Sequence, residues 1–188
     1  MLTRRIRSLA PLLALALLAG CSSHVPMSPP AKPESSGIGP YAELDGRLIV
    51  IEPGRRWQVL LHWQASVPDQ GSLRLTHAAS QSVIELRWAN GQMWLRSTSE
   101  RWWRPVRMPE LGDQGIVLAP WELAELLLGG LPSRFVPARD KNGERGQIWE
   151  TREHRPFIRL QWNADRRTLK MTDITHGRMA TLIIMHAG

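Results

Sequence analysis

From Leu44 to Met185 apolar residues recur at every second position, in one short run after another. Trp57, Val59, Leu61 and Trp63 alternate with Gln58, Leu60, His62 and Gln64, and Leu73 and Leu75 alternate with Arg74 and Thr76. Ile84, Leu86 and Trp88 alternate with Glu85 and Arg87, and Ile158, Leu160 and Trp162 with Arg159 and Gln161. Successive side chains of a strand point to opposite faces, so this pattern specifies strands with one apolar and one mostly wet face. Ala89-Asn90-Gly91 marks a hairpin, because Asn-Gly tolerates the positive φ angles of a tight turn, and Met93 and Leu95 resume the alternation beyond it. Asn163 to Arg166 turn the chain into Leu169 and Met171, and Met179 to Met185 read as the closing strand. Short strands joined by hairpins at this spacing predict a mainly β fold, an antiparallel meander curled into a barrel or half-barrel.

One helix interrupts the strands. Pro120 suits a first helical position, and Trp121 to Leu128 place Leu123, Leu126 and Leu127 on one side. Glu122 and Glu125 lie near the positive end of the helix, and Gly129, Gly130 and Pro132 stop it. So apolar a helix must pack on something, and the concave face of the curled sheet is the natural place. Two readings stand there: a helix that caps the core, or a lid over a lipid-sized cavity.

Ahead of the strands, Arg4, Arg5 and Arg7 precede the apolar run Leu9 to Leu18, and Leu18-Ala19-Gly20-Cys21 closes it. That combination reads as a secretory signal ending in a lipidation cysteine. The alternative is an ordinary signal peptide that ends near a cysteine. The run is about half of the ~20 residues a membrane-spanning helix needs. Acyl chains on Cys21 would hold the protein on a membrane, each buried methylene contributing about 0.8 kcal/mol. Residues 1–20 are therefore expected to be the signal. Residues 21–43, with Pro26, Pro29, Pro30, Pro33 and Pro40, are expected to be a lipidated tether, and residues 44–188 one β domain.

Cleavage ahead of Cys21 leaves 168 of the 188 residues, enough for a single core. Loss of the three signal arginines lowers the formal charge from +7 to +4. Cys21 is the sole cysteine, so no internal disulfide forms. Nucleic acid is excluded as a partner by compartment, and the positive charge fits either solubility or attraction to anionic head groups. Nine tryptophans against one tyrosine and two phenylalanines suit both a core and a lipid-facing wall.

Motifs for chemistry are absent from the sequence. The six histidines show no metal-ligand spacing, and no cysteine could join them as a zinc ligand, so neither a metal nor a cofactor is expected. There is no G-x-S-x-G elbow and no phosphate-binding glycine loop. His77, Ser80 and Ser82 lie too close in sequence to make a good triad, and Glu43 and Asp45 read as solvated charges. The chain is not expected to be an enzyme.

Four stretches resemble the LolB family of outer-membrane lipoproteins, which receive other lipoproteins from a periplasmic carrier. Leu44-Asp45-Gly46-Arg47-Leu48 is similar to that family's opening strand, and Leu60-Leu61-His62-Trp63-Gln64 to the next. Leu73 to Thr76 and Ile84 to Leu86 resemble its third and fourth strands with a protruding loop between them. Ile116-Val117-Leu118 through Leu126-Leu127-Leu128-Gly129-Gly130-Leu131-Pro132 resembles its short helix. Their order and spacing carry the resemblance, which spans most of Leu44 to Phe135.

The resemblance implies a half-open antiparallel barrel whose apolar cavity holds acyl chains under a short helical lid. Trp57, Val59, Leu61, Trp63, Ile84, Leu86, Trp88, Leu123 and Leu127 are the candidate walls; the same residues could equally fill a close-packed core. It also implies an anchor in the outer membrane, facing the periplasm, since Ser22 rather than Asp follows Cys21. The implied partners are a periplasmic carrier and its lipoprotein cargo, and the implied role is lipoprotein or lipid localisation. Three departures separate the chain from the family. Ala78 and Ala79 occupy the protruding loop, with Ala79 where the family carries a leucine that helps insert cargo into the membrane. Pro- and Gly-rich sequence replaces a helix before the first strand, and no helix is expected ahead of Pro120. The alternative function is a non-transporting lipoprotein that serves as a binding scaffold for another envelope complex. Its candidate contacts are Trp102 and Trp103 among Arg101, Arg104 and Arg107.

Overall fold

The computed structural model of the chain describes residues 35–112, 115–138, 147–152 and 157–188, all within one compact unit. The expected signal, Cys21 and most of the expected tether lie outside them. Eleven strands make a single antiparallel sheet. They are β1 (Glu43–Glu52), β2 (Arg55–Val67), β3 (Gln70–Thr76), β4 (Val83–Ala89), β5 (Gln92–Ser97) and β6 (Arg104–Pro105), then β7 (Phe135–Pro137), β8 (Gln147–Thr151), β9 (Ile158–Asn163), β10 (Thr168–Asp173) and β11 (Arg178–Ala187). Their order across the sheet is β6-β5-β4-β3-β2-β1-β11-β10-β9-β8-β7.

The first and last strands therefore meet in the middle of the sheet. Two meanders, one from each half of the chain, share the β1–β11 pairing. The outer strands β6 and β7 do not pair with each other, so the barrel is half-open. Both edges are blunted by the same means: they are two and three residues long, and Pro105 and Pro137 have no N–H to offer another strand.

The alternation of the sequence becomes the alternation of burial. Along β2, Val59, Leu61, Trp63 and Ala65 are buried while Gln58, Leu60 and Gln64 are exposed. The expected Asn90-Gly91 turn is present with φ of 49° and 75°, and Ala89 pairs with Gln92 across it. Gly46 marks a register shift in the β1–β11 pairing; a Cβ there would lie 2.8 Å from the Ile183 carbonyl oxygen.

The segment from β6 to β7 crosses the concave face and carries both helices, α1 (Met108–Gly112) and α2 (Pro120–Leu127). The expectation that no helix precedes Pro120 is thus corrected. Pro109 does not oppose α1, because its missing N–H falls in the first turn, where no intrahelical partner exists. Helix α2 packs on β2 and β3, with Ala124, Leu126 and Leu127 fully buried.

The packed domain also begins earlier than Leu44. Ser36 and Ile38 are fully buried, and this segment holds the end of α2. The Ser36 hydroxyl donates to the Leu126 carbonyl (3.1 Å), the Ser36 N–H to Gly129 (3.1 Å) and the Tyr41 N–H to Leu127 (2.7 Å). These bonds satisfy carbonyls that the end of a helix leaves open. The proline-rich composition concealed one buried isoleucine and one capping serine, enough to turn the end of a tether into part of the core.

Candidate functional site

The candidate site is the apolar interior between the sheet and α2. Alternation on β2 and β4 aims Val59, Leu61, Trp63, Leu86 and Trp88 inward, and all are buried. Leu127 meets the same core from the helix, while Trp57, Ile84 and Leu123 are half-buried at its margin. The structure thus brings all nine sequence-selected wall residues to one core. Trp63 and Leu127 have no accessible surface, so no water-sized void touches them, and their surroundings are filled by protein. Trp63 and Trp88 stack with centroids 4.9 Å apart and planes tilted by 35°. The Trp88 indole N–H donates to the Pro68 carbonyl at 3.0 Å, whereas that of Trp63 is buried and has no partner among the described residues.

Sequence selection missed Ile38, Leu118, Leu126 and Phe135, which complete this core. Leu126 was legible as a helix-face residue. Ile38 and Phe135 sit in irregular sequence that carries no period.

Polar contacts hold α2 in place. The Glu122 carboxylate accepts from the Ala119 N–H (3.1 Å) and pairs with Arg134 at 2.5 Å, tying the first turn to the strand that follows. Burial, followed by repulsion from Glu122, pushes the Glu125 carboxyl above the usual carboxylate range. Beside the first turn of α2, an open depression of about 510 Å³ is lined by Met93, Trp94, Val106, Met108 and Trp121 together with Gln92 and Arg107.

The remaining candidates lie elsewhere. Ala78 and Ala79 are exposed in the β3–β4 loop, where the His77 ring bonds to Ser80 (2.9 Å) and Ser80 to Ser82 (2.8 Å). These are bonds of a short turn with no acid behind the histidine among the described residues. Glu43 and Asp45 face His62 on the outer surface, Asp45 at 2.9 Å and Glu43 at 3.9 Å. No group of three or more metal-ligating side chains occurs among the described residues, and no described helix is long and apolar enough to cross a membrane.

No family model matches this chain, and no curated protein matches it. Among solved structures it is similar to a LolA superfamily protein from Nitrosomonas europaea. The likeness covers 81% of this chain and 88% of that one, at 8% identity and a TM-score of 0.43.

Proposed function

We propose that this protein is a LolB-like lipoprotein of the outer membrane, facing the periplasm, that takes up acyl chains beneath α2 and assists lipoprotein or lipid localisation. One observation carries the reading. A short apolar helix lies on the concave face of an unclosed sheet, and a depression walled chiefly by apolar side chains opens at its first turn. A ligand of hydrocarbon needs apolar walls with few polar atoms, and the residues behind α2 supply them. The interior is packed, so uptake requires α2 to shift and acyl chains to replace its side chains. The signal-like start ending at Cys21 and the family resemblance support the membrane anchor. Transfer would run by affinity alone, with tighter binding to this protein than to the donor carrier, followed by release to the bilayer.

The test is a transfer assay with the chain from Ser22 onward, which lacks Cys21 and keeps every described residue. A periplasmic carrier loaded with a lipoprotein is mixed with it, and the cargo is followed. Cargo is expected to move to the protein, and Met108→Glu, at the half-buried mouth of the depression, is expected to block that movement without lowering the melting temperature by more than a few degrees. Failure of the folded protein to gain cargo or labelled fatty acid would sink the reading.

A further inference from the structure

Trp102 is 75% exposed, far more than any other large apolar side chain of the described residues. It lies in the β5–β6 loop, and that loop is firmly built. Thr98 closes it against β4 through a hydroxyl that accepts from the Val83 N–H (2.6 Å) and donates to the Val83 carbonyl (3.0 Å). Glu100 accepts from the Ser97 N–H at 3.0 Å, and Trp103 lies against Arg87 and Arg96, whose guanidinium carbons stand 4.5 and 4.8 Å from its ring centre. Trp103 thus faces the sheet while its neighbour projects into solvent.

The surroundings of Trp102 are cationic. Arg101 stands 5.5 Å from its ring centre. Arg104 is paired with Glu100 and Glu110, and Glu85 is occupied by Arg74 and Arg96. Five arginines (74, 87, 96, 101 and 104) therefore accompany three glutamates (85, 100 and 110) here, and Glu110 is shared with Arg107. The register places the loop at the same end of the sheet as the β3–β4 loop, with exposed Ala78 and Ala79, and the β10–β11 turn, with exposed Ile174.

We propose that this end of the sheet docks on an anionic lipid surface, with Trp102 seated at the head-group level and Arg101 on a lipid phosphate. Indole combines a large apolar body with one N–H donor, which suits the boundary between hydrocarbon and water. Arginines beside it are drawn to the negative surface potential of such a leaflet. Protein-binding hot spots also use Trp and Arg, but at the desolvated, well-packed centre of a wider and mostly apolar contact. Here a single indole stands among guanidinium groups, so charge complementarity selects the bilayer. The contact goes beyond the acyl-chain reading and requires no cavity.

The test is co-sedimentation of the chain from Ser22 onward with vesicles of phosphatidylglycerol and phosphatidylethanolamine, against vesicles of phosphatidylcholine. Preferential binding to the anionic vesicles is expected. Trp102→Ser should weaken it roughly tenfold, and Arg101→Gln should weaken it less and reduce its salt dependence. These side chains are exposed, so thermal melts should be unchanged and any loss belongs to the surface. Absence of binding, equal binding to both vesicle types, or full binding by folded Trp102→Ser would overturn the proposal. So would a soluble protein partner whose capture depends on Trp102 while vesicle binding does not. Cargo uptake is read separately and fails or succeeds independently of these outcomes.

Discussion

Two tryptophan-bearing regions of this molecule have the same side-chain chemistry and opposite fates. Under α2, Trp63 and Trp88 stack within a core that excludes water; at the edge of the sheet, Trp102 projects from a rigid loop among arginines. The difference is one of position in the fold. Trp63 is an inward position of a strand near the middle of the sheet, covered by a helix. Trp102 lies in a loop beyond the last full-length strand on its side, where nothing remains to cover it. Apolar surface in the first region stabilises the domain, and in the second it is free to meet something else.

The comparison is tested most severely at the core. Leu127→Asp places an unpaired carboxylate in a fully buried site and should cost ~4 kcal/mol, leaving the domain largely unfolded by circular dichroism. A folded variant with a nearly unchanged melt would mean that the interior is loose enough to admit water, which would favour an open cavity over a packed core.

The segment before β1 gives a smaller effect. Ser36→Ala removes a hydroxyl that caps the buried end of α2 and should cost about 1 kcal/mol in a denaturant titration. If α2 is the element that moves, the same change should also speed exchange of the Ala124 to Leu127 amides with deuterium.

Glu125 adds a pH signature. Its carboxyl is raised chiefly by burial and secondarily by Glu122, so the protonated form is the one the fold favours. That contribution is complete at pH values below the ordinary carboxylate range and is lost as pH rises through the raised value. Glu125→Gln should therefore raise the melting temperature at pH 7 and have much less effect at pH 4. An equal shift at both values would remove the titration from the explanation.

The smallest expected effect lies at the other end of the comparison. Trp102→Ser should change stability by less than ~0.5 kcal/mol, the range of ordinary surface substitutions. A drop of several degrees in its melt would show that the loop depends on Trp102 for its own structure.

Much of the fold was legible because strands announce themselves by a local period. The runs at Trp57–Trp63, Ile84–Trp88 and Ile158–Trp162 became β2, β4 and β9, and Asn90-Gly91 became the turn it resembles. The short edge strands β6 and β7 escaped, since two or three residues contain no period. Helix α1 escaped because Pro109 reads as a breaker unless its first-turn position is known. For the candidate site, alternation identified which residues turn inward, yet it could not distinguish a wall from a filling.

The sequence by itself determined the antiparallel β class, the inward face of the main strands and the boundaries of α2, since each depends on residues a few positions apart. Only the tertiary structure decided that β1 and β11 close the middle of the sheet, that Ser36 and Ile38 belong to the core, and that Trp63 is enclosed while Trp102 is bare. Those outcomes depend on which distant segments meet. Burial is a property of what lies opposite a side chain, which no local pattern records.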